Sequence, residues 1–246
     1  MIPPRHPTHI EPHIKETSYI RDLVFGFGDG VNTSLGIIAG VGGAIIAADI
    51  VILAALVGMF TGAKAMAVQN YLAVKSQREI LESEIKREEF EIDNTPEQER
   101  HEIEEIYKSK GFEGDDLKTV VDRITSNKEV WLKTMLTEEL GLNLEILGNP
   151  LKGALMMFGS FLLGGILPIL PYFVVKVGVI SSTTAIIVAI MISIISSFVV
   201  GAIKARMAQM NIVKGGIEMA GLGTGIALVG YGIGAELARA GIVNIP

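Results

Sequence analysis

No cysteine occurs anywhere in the 246 residues. Disulfides, thiolate zinc sites and thiol nucleophiles are thereby excluded. Histidine is nearly as scarce. His6, His9 and His13 sit in a stretch broken by Pro3, Pro4, Pro7 and Pro12, which leaves His101 for the rest of the chain. Those prolines keep the three imidazoles off a shared helical face, so residues 1–20 read as a flexible tail, with weak metal capture as the other reading. The same stretch has no apolar segment ahead of a small-residue cleavage site. It is therefore not expected to be a signal peptide, and the first apolar block is expected to stay in place as a transmembrane helix. A basic patch is missing too. The net charge is −6, from 27 acids and 21 bases, which argues against nucleic acid as a partner and suits cations.

What the chain has in abundance is apolar sequence. Hydrophobic residues make up 49% of it and its mean hydropathy is +0.45, too high for an ordinary soluble domain. Five blocks, about 23–47, 50–72, 153–175, 180–203 and 212–236, are long enough to span a bilayer as helices. The first carries glycines four apart, which permits close helix packing. It also carries Asp29 within the apolar run, followed by Asn32, Thr33 and Ser34. A carboxylate there is costly in lipid and is expected to face a bundle interior, a pathway or a partner. A very short link around Asp49 makes the second span an antiparallel neighbour of the first. Met66, in the second span, reads on its own as adaptable packing. Pro168 and Pro171 are expected to kink or end the third span. The fifth is glycine-rich, with Glu218 near its start.

Acidity is confined to one place. From Ser76 to Pro150 there are 20 acids against 10 bases, whereas the remainder holds 7 against 11. Nothing stops the helical pattern between Met66 and Glu91, so the second span is expected to continue as one long helix carrying Glu79, Glu82, Glu88 and Glu91. Asp93 to Pro96 breaks it, with Thr95 as a cap and Pro96 at the first position of the next helix, which runs to about Lys110. Two more helices, about 115–126 and 128–140, follow, the last capped by Asn127. Glu88 and Glu91, Glu99 and Glu102, and Met135 and Glu139 are three or four apart and so share helix faces. If the first two helices pack antiparallel, their acids converge into a set of oxygen ligands with one soft sulfur, suited to divalent transition metals. The same acids read equally as a solvated, charge-laced hairpin.

Five spans place the termini on opposite sides. Arg5, Lys15, Arg21, Lys204, Arg206 and Lys214 lie on the side of the insert, and only Lys176 and Arg239 lie opposite. The N-terminus and insert are therefore expected in the cytoplasm. The division is a tail at 1–20, two spans at 21–75, an acidic helical domain at 76–150 and three spans at 151–246. The fold expected is an all-α polytopic membrane protein with a cytoplasmic helical domain between spans two and three.

The run Arg21 to Gly30 (RDLVFGFGDG) with Asn32-Thr33, the positions Gly62, Met66, Tyr71 and Ser76-Gln77-Arg78, and Glu138-Glu139-Leu140-Gly141 resemble the vacuolar iron transporter family over nearly the whole chain after residue 20. The resemblance implies a five-span homodimer that exports Fe²⁺ or Mn²⁺ from the cytosol, in some members by proton antiport. It implies that Glu88, Glu91, Glu99, Glu102, Met135 and Glu139 are ligands of a cytoplasmic metal-binding domain, and that Asp29 and Met66 line the translocation path. In one departure, Asn70 stands where many relatives carry glutamate, and an amide carries neither a proton nor a negative charge at neutral pH.

The function expected is a secondary transporter, not an enzyme, with no prosthetic group. Its partners are divalent metal, protons, the lipid bilayer and a second copy of the chain. Fe²⁺, Mn²⁺, Co²⁺ and Zn²⁺ all suit an oxygen-plus-thioether site. The membrane is a cell membrane if the chain is prokaryotic, the choice favoured by the lack of long targeting extensions, and a vacuolar membrane if it is eukaryotic. Two rivals are a carboxylate ferroxidase and a membrane-anchored sensor or storage protein. Di-iron bundles place Glu-x-x-His on two helices, and position 98, three before His101, is glutamine. An anchor needs neither five spans nor an intramembrane acid.

Overall fold

The computed structural model describes residues 13–44, 47–141 and 148–241, all of whose regular structure is α-helical. Eight helices follow one another among them: α1 (His13–Ala44), α2 (Ala48–Asn94), α3 (Pro96–Ser109), α4 (Gly114–Thr125), α5 (Lys128–Glu138), α6 (Pro150–Lys176), α7 (Ser182–Met207) and α8 (Ile212–Arg239). Five of them, α1, α2, α6, α7 and α8, are long and apolar enough to cross a membrane. The chain divides into two compact units, residues 1–71 with 149–246, and residues 72–148. Helix α2 contributes its first half to one and its second half to the other.

In the first unit the neighbours of successive glycines reveal the direction of each helix. Gly26 faces Met157 and Ser160, and Gly30 faces Phe161 and Gly165, so α1 and α6 run parallel. Gly28 faces Met219, and Gly40 faces Gly230, so α8 is parallel to α1 as well. Spans one, three and five thus share a direction, as alternate crossings must. A side chain at Gly30 would collide with the Phe161 carbonyl, and one at Gly234 with that of Gly40. These contacts let backbones approach where apolar surface gives no preference for protein over lipid. The core between them holds Ile38, Val51, Ala55, Met59, Phe161, Ile169 and Tyr172.

The second unit is a four-helix arrangement around Ile92, Ile103, Leu117, Val121, Ile124, Trp131 and Met135. Asn127 caps α5, its side-chain oxygen accepting from the backbone of Glu129 and Val130 at 3.0 and 3.1 Å. Gly111 and Gly141, with φ of +90° and +62°, follow α3 and α5 in the left-handed conformation that glycine adopts without strain.

Four local expectations are corrected. Helix α1 starts at His13, inside the stretch read as a tail, because Pro12 is the last residue there that opposes a helix; the side chains of His6, His9 and His13 lie outside the described residues. Asp49 is not in a link but in the first turn of α2, where its carboxylate meets Lys176 at 2.9 Å. Helix α6 does not end at Pro168 or Pro171 but continues through both to Lys176. Both prolines are buried beside Ile169 and Tyr172, and burial of that face outweighs the backbone bonds they remove. Thr95 precedes α3 without capping it, because its hydroxyl donates back to the Glu91 carbonyl at 3.0 Å.

Candidate metal centre and membrane cavity

The acids of the second unit separate into two kinds. Several outer ones are paired: Lys128 bridges Asp93 at 2.6 Å, Arg87 meets Glu84 at 3.0 Å, and Lys110 and Arg100 hold Glu138 and Asp122. These are solvated surface pairs worth little individually. The inner ones are different. Carboxylate oxygens of Glu88, Glu99 and Glu139, from α2, α3 and the end of α5, all lie within 4.8 Å of one another. Glu88 and Glu99 are only 1% and 3% exposed, and no lysine or arginine among the described residues pairs with any of the three. Each of the two buried groups keeps one oxygen, Glu88 Oε1 and Glu99 Oε2, without a hydrogen-bond partner. Glu88 and Glu99 stand one turn before Ile92 and Ile103 of the core, which is how the apolar faces of α2 and α3 carry two carboxylates inward.

Such a cluster resists ionisation. Burial, then the charge of Glu139, then Glu99 through its charge and a shared hydrogen bond push Glu88 up to about 8. Burial and the charge of Glu102 raise Glu99, with the bond to Glu88 acting against them. Glu139 is raised by burial and by Glu102 and Glu91, partly offset by Arg87. Glu91 and Glu102, both half-buried, therefore act electrostatically on the centre from its edge. Met135 is fully buried in the apolar core, one turn before Glu139, whose backbone N–H donates to the Met135 carbonyl. Bound protons or a divalent cation would relieve the mutual repulsion, and a cation would also meet the two unpartnered oxygens. His101 is exposed, and the three groups that converge are carboxylates.

In the first unit a cavity of about 730 Å³ opens between α1, α7 and α8. Asp29, Asn32, Met207, Met219 and the cations Arg21 and Lys204 line it, with Phe25 and Leu222 among its apolar walls. Met66 takes no part in it and packs against the core around Phe161. One acid escaped the sequence reading. Asp22 is 3% exposed and bonds to Arg21 at 3.1 Å. Its Oδ2 lies 2.9 Å, and Asn70 Nδ2 3.1 Å, from the point where a Cβ on Gly153 would stand, and that Asn70 nitrogen has no partner. Next to Arg21 at the start of an apolar run, Asp22 looks like an interfacial charge; only the meeting of α1, α2 and α6 buries it.

The family model described as the VIT family matches residues 20–235. Among curated proteins the chain is similar to vacuolar iron transporter 1 of Tulipa gesneriana, 31% identical over 91% of this chain and 89% of the relative. It is similar to the vacuolar iron transporter of Toxoplasma gondii, 32% identical over 93% and 78%. Vacuolar iron transporter 1 of Arabidopsis thaliana is 30% identical over 87% and 84%.

Proposed function

The chain belongs to the VIT family, and from that premise we propose that it exports Fe²⁺, and Mn²⁺ with it, from the cytosol across a membrane in exchange for protons. The relatives carry iron transport in their names. The single observation that carries the reading here is the Glu88, Glu99 and Glu139 centre, three converging carboxylates that no lysine or arginine among the described residues pairs. Metal selection follows from its oxygen donors, with the Met135 thioether as a soft contact and Glu91 and Glu102 adding charge at the edge.

The acidic unit collects the ion on the cytoplasmic side, where its negative potential raises the local concentration of divalent cations. In the membrane unit Asp29 and Met66 serve the path, as the family resemblance implies. A carboxylate that holds either a metal or a proton couples the two flows without further machinery, because both compete for one charge. Downhill proton movement into the cytosol then drives metal out of it. The protein works as a homodimer in a membrane bounding the cytosol. The relatives are named for the vacuole, and export into a vacuole or out of a cell has the same direction relative to the cytosol.

Reconstitution into proteoliposomes with an imposed pH gradient tests this. Wild-type protein is expected to move Fe²⁺ and Mn²⁺ along the gradient-driven direction. Asp29→Asn should abolish transport, and Glu88→Ala/Glu99→Ala/Glu139→Ala should slow it. Wild-type protein that binds metal but moves none removes the transporter reading and leaves a sensor or store.

A further inference from the structure

A thioether from α8, that of Met219, lines the same cavity as Asp29. Met219 lies across Gly28, its Cε 2.9 Å from the point where a Cβ on that glycine would stand. Asp29 is the next residue, and both line the same cavity. One turn further along each helix, Asn32 faces Gly223, with its Oδ1 3.0 Å from a Cβ built there. That oxygen is buried and has no hydrogen-bond partner, an expensive state for a carbonyl in an apolar bundle unless something electropositive meets it. Two adjacent levels of the α1–α8 contact thus bring Asp29, Met219 and Asn32 to one cavity, with the buried, orphaned Asn32 oxygen at its α8 wall.

The cations of the cavity stand elsewhere. Arg21 is two turns nearer the start of α1 and is engaged by Asp22. Gly201 of α7 faces Met219, 3.0 Å from its Cβ, and Lys204 lies almost a turn beyond Gly201 toward the end of that helix. Positive charge therefore marks the rim and the donors mark the depth.

We propose that Met219 supplies a thioether to the metal ion carried by Asp29, beside the Asn32 oxygen, and that the thioether tunes this cavity toward softer divalent cations. The inference rests on the reading of Asp29 as the path carboxylate. Oxygen donors alone hold Mn²⁺ well, whereas a thioether adds most for a soft ion such as Cd²⁺ and something for Fe²⁺. A methionine that only fills space would leave that preference untouched.

Uptake of Mn²⁺ and of Cd²⁺ by the full-length protein in proteoliposomes separates the two. Met219→Leu is expected to keep Mn²⁺ uptake within about twofold and to lower the Cd²⁺-to-Mn²⁺ uptake ratio about tenfold, the scale on which losing one supporting group weakens a metal site. Met219→Gln, of similar length with oxygen in place of sulfur, should show the same fall. Met207→Leu at the rim should not. An unchanged ratio in either Met219 variant, an equal fall in Met207→Leu, or loss of both metals in both Met219 variants overturns the proposal. Wild-type protein that moves neither metal refutes the transport reading instead.

Discussion

Glu88 is the residue at which burial and charge conflict most. It is 1% exposed, faces two other carboxyls, and holds its proton up to about pH 8. A metal ion entering the centre must displace that proton, so apparent affinity for Mn²⁺ should fall about tenfold for each pH unit below 8. Glu88→Gln should flatten that slope and weaken binding at least tenfold at pH 7. The only tryptophan, Trp131, is buried in the core of the same unit with Met135, and Mn²⁺ binding measured by calorimetry across pH gives the slope. An equally steep slope in Glu88→Gln would assign the displaced proton elsewhere. The helical spacing of Glu88, Glu91, Glu99 and Glu102 was legible in the sequence. Which of them are buried and unpaired was not, because that depends on Ile92 and Ile103 turning one face of each helix inward, while Arg87 meets Glu91 at 3.7 Å and Gln98 donates to Glu102 at 3.3 Å. Asp22 shows the same limit in the membrane unit. Gly153→Ala should press a methyl group onto Asp22 and Asn70 and destabilise the protein by about 1–3 kcal/mol, the usual cost of overpacking. Thermal unfolding in detergent measures it, and a melting temperature unchanged from wild type would mean that the two polar groups part freely.

Helices were the readable scale. The continuation of span two into the acidic unit follows from the absence of any glycine or proline from Gly62 to Pro96, and α2 runs unbroken from Ala48 to Asn94. Proline argued for an end to the third span that does not come, because its cost is local and the burial that decides the outcome is not. Pro168 and Pro171 lie within α6 on a buried face, and nothing in the span's own sequence reports that neighbours cover it. Caps show the converse, where local chemistry suffices only if the side chain takes the right partner. Asn127→Ala removes two bonds to the first turn of α5 and should cost about 1 kcal/mol. Thr95→Ala, at a position of equal sequence promise, removes only a bond back to Glu91 and should stay within about 0.5 kcal/mol. Hydrogen exchange of the amides of Glu129 and Val130, compared with those at the start of α3, distinguishes the two. A Thr95→Ala loss as large as that of Asn127→Ala would restore the sequence reading of Thr95 as a cap.

Over the whole molecule the two units are built on opposite solvent logic. One buries small residues so that apolar helices touch; the other keeps charge outside and still places carboxyls in its core. The second choice has a thermodynamic signature. Glu88 titrates near its ordinary value of 4.5 when unfolded and near 8 when folded, so between those limits the folded state binds more protons than the unfolded one. Stability of the metal-free acidic unit is therefore full below about pH 4.5 and declines as the pH rises, levelling off above pH 8. Glu99 and Glu139, raised in the same direction, act with it. Metal reverses the trend, because the ion takes the place of the proton, and an excess of one hundred times its dissociation constant adds about 2.7 kcal/mol. Hydrogen exchange over residues 88–139 of the full-length protein should show protection falling from pH 5 to pH 8 without metal, after correction for the intrinsic rate. With saturating Mn²⁺ protection should instead hold or rise. Protection that rises with pH in the metal-free protein would mean that the three carboxyls are ionised and compensated, and the centre would then have no reason to prefer a cation.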